Sequence, residues 1–402
     1  MQISGGISIA GGVSLTPPSA GPVNYDGDLT FGTSVVLDSS NPTNSDSVSS
    51  VWDPNNSKLI VAYDIEDGAN REGYISIGTV TGSSVSYGSA VKFSDQATHG
   101  YVNTVSVCYD SNAQKGVVAW GGYNSSVYAR TITVTGTTCT LGTVTTLISG
   151  SIYPKYIRAV YDSTNYKIVV MFSNDNNNDE GYSYVGTVSG TNISFGSLVK
   201  FSTNRTQWID ACFDSNNGKI VVAYENLTSS TGKARVGTIS GSSISWGSEI
   251  STCTGRARWN GIVYDSTEQR VVLTFGDGTN SYYATTIVGE VSGSNITFGT
   301  PVVFWSPSNS PAQEISSTYD VTSKKVINTF YNNSGGGSAK CVVGSVSGSS
   351  ITYNSVVNFG SGGAQTNAQI SHVASIPGAR IHITYHDDSN SSRTTGVAAT
   401  IS

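Results

Sequence analysis

The chain has 402 residues, of which 12% are charged and 45 are Gly, and its formal net charge is −6. With only 21 Lys+Arg and no basic cluster it is not an electrostatic nucleic-acid binder, and no apolar run of about 18 residues offers a membrane span. Few helix formers argue against bundles and coiled coils, which leaves a large all-β protein rich in Gly, Ser, Thr and Asn.

Residues 1–28 (MQISGGISIAGGVSLTPPSAGPVNYDGD) alternate apolar and small polar residues, then stiffen at Pro17-Pro18 and Gly21-Pro22. They have neither a basic leader nor a continuous apolar stretch, so a secretory signal is not expected. The segment reads as a β-prone anchor and linker, suited to adding a strand to a partner's sheet edge.

From residue 29 the chain repeats. LTFGTSVVLD (29–38) returns as VSYGSAVKFS (85–94), CTLGTVTTLI (139–148), ISFGSLVKFS (193–202), ISWGSEISTC (244–253), ITFGTPVVFW (296–305) and ITYNSVVNFG (351–360). A second element, of the form YDSxxxKxVVxY, begins as VWDPNNSKLIVAY (51–63) and closes as VASIPGARIHITY (373–385), which has lost the Asp. A third, VGTVSG, carries Gly82, Gly136, Gly190, Gly241, Gly293 and Gly348. The period of about 51–57 residues over seven units is that of propeller blades.

Each unit reads as four strands. Strand a ends at the Asp, which opens an Asx turn into strand b. Strand b is a Val/Ile run ending in an aromatic residue in all seven copies. Strand c ends at VSG, where Gly supplies a positive φ for a short hairpin into strand d. The last unit stops at ATIS (399–402) without strand d, while LTFGTSVVLD is a strand d without companions. The expected fold is therefore a seven-bladed β-propeller over residues 29–402, in which the N-terminal strand d completes the C-terminal blade.

The a–b and c–d turns are uniform, whereas the b–c and d–a connections vary, so a binding face is expected on the variable side. There Arg205, Trp208, Arg256 and Trp259 hold matching positions in neighbouring repeats, with Tyr101 and Tyr153 in equivalent loops. Aromatic faces beside Arg, Asn and Asp suit a sugar, whose C–H face packs on the ring while polar groups read its hydroxyls. Four residues before the repeat Asp, most units have Ser or Gly, but units three and four have Arg158 and Asp210. Strand alternation aims this position at the central channel, where the two are expected to pair.

Catalytic chemistry is not expected. HExxH, GxSxG and P-loop motifs are absent, and the turns read DSxxxK rather than the SxDxGxxW box of sialidases. The repeat Asp (Asp53, Asp110, Asp162, Asp214, Asp265 and Asp320) reads as a turn cap with too few carboxylates around it for calcium. His382 and His386 lie about 13 Å apart along a strand, too far for one metal. The five cysteines have no metal or redox spacing and read as small buried hydrophobes. No cofactor and no metal are expected.

ISGGISIAGGVSLTPP followed by repeated GTVSGxSISFGSxVxFS resembles virion structural proteins of marine tailed phages, of the cyanophage and marine podovirus type. The resemblance implies a virion appendage on capsid or tail, assembled in the host cytoplasm, docked to other virion proteins through residues 1–28 and presenting a host receptor- or glycan-binding face. It implies no catalytic residue. A free carbohydrate-binding lectin and a polysaccharide-active enzyme remain as alternatives.

Overall fold

The computed structural model describes residues 25–37, 47–67, 70–122, 126–150, 152–306, 311–332, 338–359, 371–387 and 393–402. Residues 1–24, most of the expected anchor, lie outside this set.

Seven antiparallel sheets form a seven-bladed propeller. Blades 1 to 6 span residues 48–94, 102–149, 154–202, 206–251, 257–305 and 312–358. In blade 4, strand a is Thr206–Asp214, b is Lys219–Asn226 and c is Thr231–Ser240. Strand a is innermost: each packs against strand a of the next blade, and Val48–Asp53 of blade 1 packs against Ser371–Ile376 of blade 7.

Blade 7 draws on both ends of the chain. Leu29–Phe31 pairs antiparallel with Arg393–Ile401, Leu29 opposite Ile401 and Phe31 opposite Ala399. The pairing starts before the repeat does, since Gly27 N–H donates to Ser402 O (2.7 Å) and Ser402 N–H to Asp28 O (3.0 Å). Tyr25 also packs on the blade 7 core, so residues 25–28 belong to the ring rather than to a linker.

Strand b explains the core. Ile168, Val170 and Phe172 pack toward blade 2, while Val169 and Met171 pack toward blade 4. The same alternation sends Ile220, Val222 and Tyr224 back to blade 3 and Val221 and Ala223 on to blade 5. Both faces of the sheet are covered, so the strand is apolar at consecutive positions. The terminal aromatics Tyr63, Trp120, Phe172, Tyr224, Phe275, Phe330 and Tyr385 are all fully buried.

Asp214 caps the a–b turn of blade 4, accepting the N–H groups of Asn216 and Asn217 (both 3.0 Å), and Asp53, Asp110, Asp162 and Asp265 cap theirs alike. The c–d glycines lie at φ of 59° to 62°. His382 is buried between blades 7 and 1, its Nε2 hydrogen-bonded to Tyr87 (2.5 Å). The cysteines are unpaired. Among the described residues no helix is long and apolar enough to cross a membrane.

The outer strand differs from expectation. It is broken into two pieces, Ser243–Trp246 and Ile250–Ser251 in blade 4, both paired to strand c. The break falls at the Gly of ISFGS. A Cβ on Gly196 would lie 1.9 Å from the carbonyl oxygen of Ser242 in the next blade's hairpin, and Gly32, Gly88, Gly142, Gly247 and Gly299 make the same approach. Close blade-to-blade contact thus takes precedence over a continuous outer strand.

Candidate functional site

The inner strands hold a register break that composition does not show. In blades 3, 4, 5 and 6 strand a carries a β-bulge, between Lys155 and Arg158, Gln207 and Asp210, Arg258 and Gly261, and Gln313 and Ser316. Each bulge holds a non-glycine residue in the left-handed region: Tyr156 (φ 54°), Trp208 (53°), Trp259 (54°) and Glu314 (50°). That conformation costs about 1–2 kcal/mol per residue, and bulges re-aim side chains. Here all four line one cavity of 450 Å³ at the d–a end of the channel.

The cavity has two unlike walls. Tyr156 and Trp208 lie 5.1 Å apart by ring centroid and Trp208 and Trp259 5.4 Å apart, a run of aromatic faces across three blades. Opposite stand Ser47, Ser49, Asn103, Thr104, Ser106, Ser316 and His372 from blades 7, 1, 2 and 6. Asn260 is 3% exposed; its Nδ2 donates to Trp208 O (2.8 Å), and its Oδ1 has no partner among the described residues.

Arg158 Nε donates to Asp210 Oδ1 at 2.9 Å, inside the channel as the repeat position implied. Asp210 Oδ2 also accepts the N–H of Ile262 in the next blade (2.9 Å). This second bond belongs to a series. The side chain four residues before the turn accepts a backbone N–H from the following blade: Ser49 from Val107 (3.1 Å), Ser106 from Ala159 (3.0 Å), Ser316 from Val373 (3.2 Å) and His372 Nδ1 from Ser50 (3.2 Å). An imidazole that accepts at Nδ1 carries its proton on Nε2, so His372 is a neutral donor in the polar wall. Burial, with the nearby Arg158 charge, holds its pKa down to about 3.

Of the residues singled out by sequence, Trp208 and Trp259 come together in the cavity; their arginine companions do not. Arg205 Nη2 pairs with Asp179 (3.2 Å) and Arg256 with the buried Glu225, each joining a d–a connection to the preceding blade. Tyr101 lies beyond a short helix, Gln96–His99, and is 39% exposed. Tyr153 lies under Lys155 Nζ, 4.9 Å from the ring centroid. None of these four lines the cavity. Matching repeat positions group the arginines with the tryptophans, but the bulge turns the Trp inward while a buried carboxylate draws the Arg outward.

Glu314 is the residue that the reading of motifs missed. It sits six residues before its turn Asp, as Tyr156, Trp208 and Trp259 do, so alignment on the Asp would have placed it in the same tier. Its carboxylate accepts a hydrogen bond from the Trp259 side chain. Burial pushes its pKa up to about 8, against the opposing pull of that bond and of Arg158.

No family model and no curated protein matches this chain. Among solved structures, the crystal structure of a protein from Lactobacillus plantarum is similar in fold, with a TM-score of 0.51 at 13% identity over 77% of this chain and 83% of that one. At that identity the likeness concerns the fold alone.

Proposed function

We propose that this propeller is a non-enzymatic glycan-binding protein, an appendage of a tailed-phage virion that docks through its amino-terminal segment. The observation that carries the binding half is the two-walled cavity, with Tyr156, Trp208 and Trp259 on one side and hydroxyl, amide and imidazole groups on the other. Backbone strain at four neighbouring positions is spent on aiming side chains at one place, as happens where a ligand is held. The appendage half draws on the repeat and anchor resemblance and on the direction of the chain. Residues 25–28 join the ring beside Ser402, at the end of strand c where other blades make their c–d hairpin. The cavity opens at the opposite face, so a disc tethered by its amino terminus would present the cavity outward.

Glycan-array binding by the full chain tests the first half. Trp208→Ala and Trp259→Ala are each expected to weaken binding by roughly 1.5–3 kcal/mol; unchanged affinity in both would overturn it. Mass spectrometry of purified particles tests the second, with loss of incorporation expected when residues 1–16 are deleted. Saturable glycan binding by a chain absent from any particle would favour a free lectin. The cavity holds two carboxyl groups, which is the one feature an enzyme reading can use. Asp210 is already engaged by Arg158 and Ile262 N–H, and steady turnover of a polysaccharide would be needed to revive that reading.

A further inference from the structure

Every other formal charge lining the cavity is paired. Lys155 Nζ lies 2.6 Å from Asp175 Oδ2, and Arg158 Nε 2.9 Å from Asp210 Oδ1. His372 is neutral with its Nδ1 occupied, and burial pushes the Tyr156 phenol well above its ordinary range. Glu314 stands among these groups with the Trp259 indole as its hydrogen-bond donor and no ion-pair partner among the described residues. Enclosure of this kind favours the uncharged acid at neutral pH, in line with its raised pKa. A neutral carboxyl donates as well as accepts, whereas the carboxylate only accepts.

We propose, building on the glycan reading, that the channel takes an uncharged saccharide and that Glu314 holds it as a protonated acid, its O–H donating to a sugar oxygen. His372 lines the same cavity, and with its Nδ1 accepting from Ser50 N–H its Nε2–H is left as a second donor. An anionic sugar finds no free cation here, because Lys155 and Arg158 are both engaged. The sugar oxygen concerned is a ring or glycosidic one, which has no proton to give, so ionisation of Glu314 removes the donor, sets lone pair against lone pair and releases the ligand. Tyr156 and His372 do not titrate in the same range; Asp210, which burial also pushes up, is held by Arg158, and loss of the transition in Glu314→Gln is what assigns it.

Two measurements on the full chain test this. Without ligand, tryptophan emission should show an inflection near pH 8, from Trp259 against Glu314, that is lost in Glu314→Gln. On an array of neutral and uronic-acid oligosaccharides, binding to neutral members should fall about tenfold or more between about pH 6 and pH 9.5. Glu314→Gln should bind equally at both, and thermal unfolding checks that the variant is folded. Binding that is flat with pH in the parent chain, preference for uronic acids, or a missing inflection overturns this proposal alone. No binding to any member at either pH overturns the glycan reading and this proposal with it.

Discussion

Asp210 serves two neighbours at once, Arg158 in blade 3 and the Ile262 N–H in blade 5. Arg158 makes the ion pair and a bond to Ile157 O within its own blade. Asp210→Ala is therefore expected to destabilise the ring more than Arg158→Ala, by ~1–2 kcal/mol, since only the first leaves a backbone N–H between blades unmet. Denaturant midpoints of the two variants decide it. His372 and His382 set the acid limit. Burial keeps both folded-state pKa values at about 3, against an ordinary value of 6.5. Above about pH 6.5 neither folded nor unfolded chain binds the protons, so they contribute no pH dependence. As pH falls from 6.5 toward 3 the unfolded chain binds them first, and stability drops by up to about 1.4 kcal/mol per pH unit for each imidazole. His372→Gln can still accept from Ser50 N–H through its amide oxygen, and should flatten part of that slope in urea titrations at stepped pH.

At the scale of the element, the turns were legible because local chemistry dictates them. Asp caps and positive-φ glycines each follow from contacts within a few residues of the chain. The repeat lysine stays within its own blade: Lys58, Lys167 and Lys219 donate to the hydroxyls of Thr79, Thr187 and Thr238 on strand c, all at 2.8 Å. The bulges were not legible, because a bulge is a mismatch between two strands and only register reveals it. The broken outer strand was hidden likewise, since its cause lies in the neighbouring blade. One contrast tests this account. Gly190 lies at φ 61° with open space around it, so Gly190→Ala should cost only about 1–2 kcal/mol. Gly196→Ala sets a methyl 1.9 Å from a backbone carbonyl and should cost more, roughly 2–4 kcal/mol, or displace the blade. Equal thermal shifts would refute the contact.

For the whole molecule, the complementary chain ends pointed to closure, and the first and last strands do share a sheet. The one departure from the Gly of ISFGS has its reason there. Asn354 of blade 6 faces the joined ends instead of a hairpin, and its Nδ2 donates to Asp26 O (2.8 Å). A chain beginning at Tyr25 keeps every one of these closing bonds, whereas one beginning at Ser47 loses them. The shorter chain is expected to melt well over 10 °C lower by calorimetry or to fail to fold. Similar melting of the two would show that the ring holds without its outer strand.

The joined ends also set a schedule. Leu29–Phe31 is made early and its partner, Arg393–Ile401, more than 350 residues later. At ~5–20 residues per second the first strand waits roughly 20–70 s on the ribosome for the strand it will pair with. Throughout that interval the growing arc of blades has two unsealed flanks, each open to a neighbouring nascent chain. Crowded synthesis is thus a condition that exposes these flanks to misassembly.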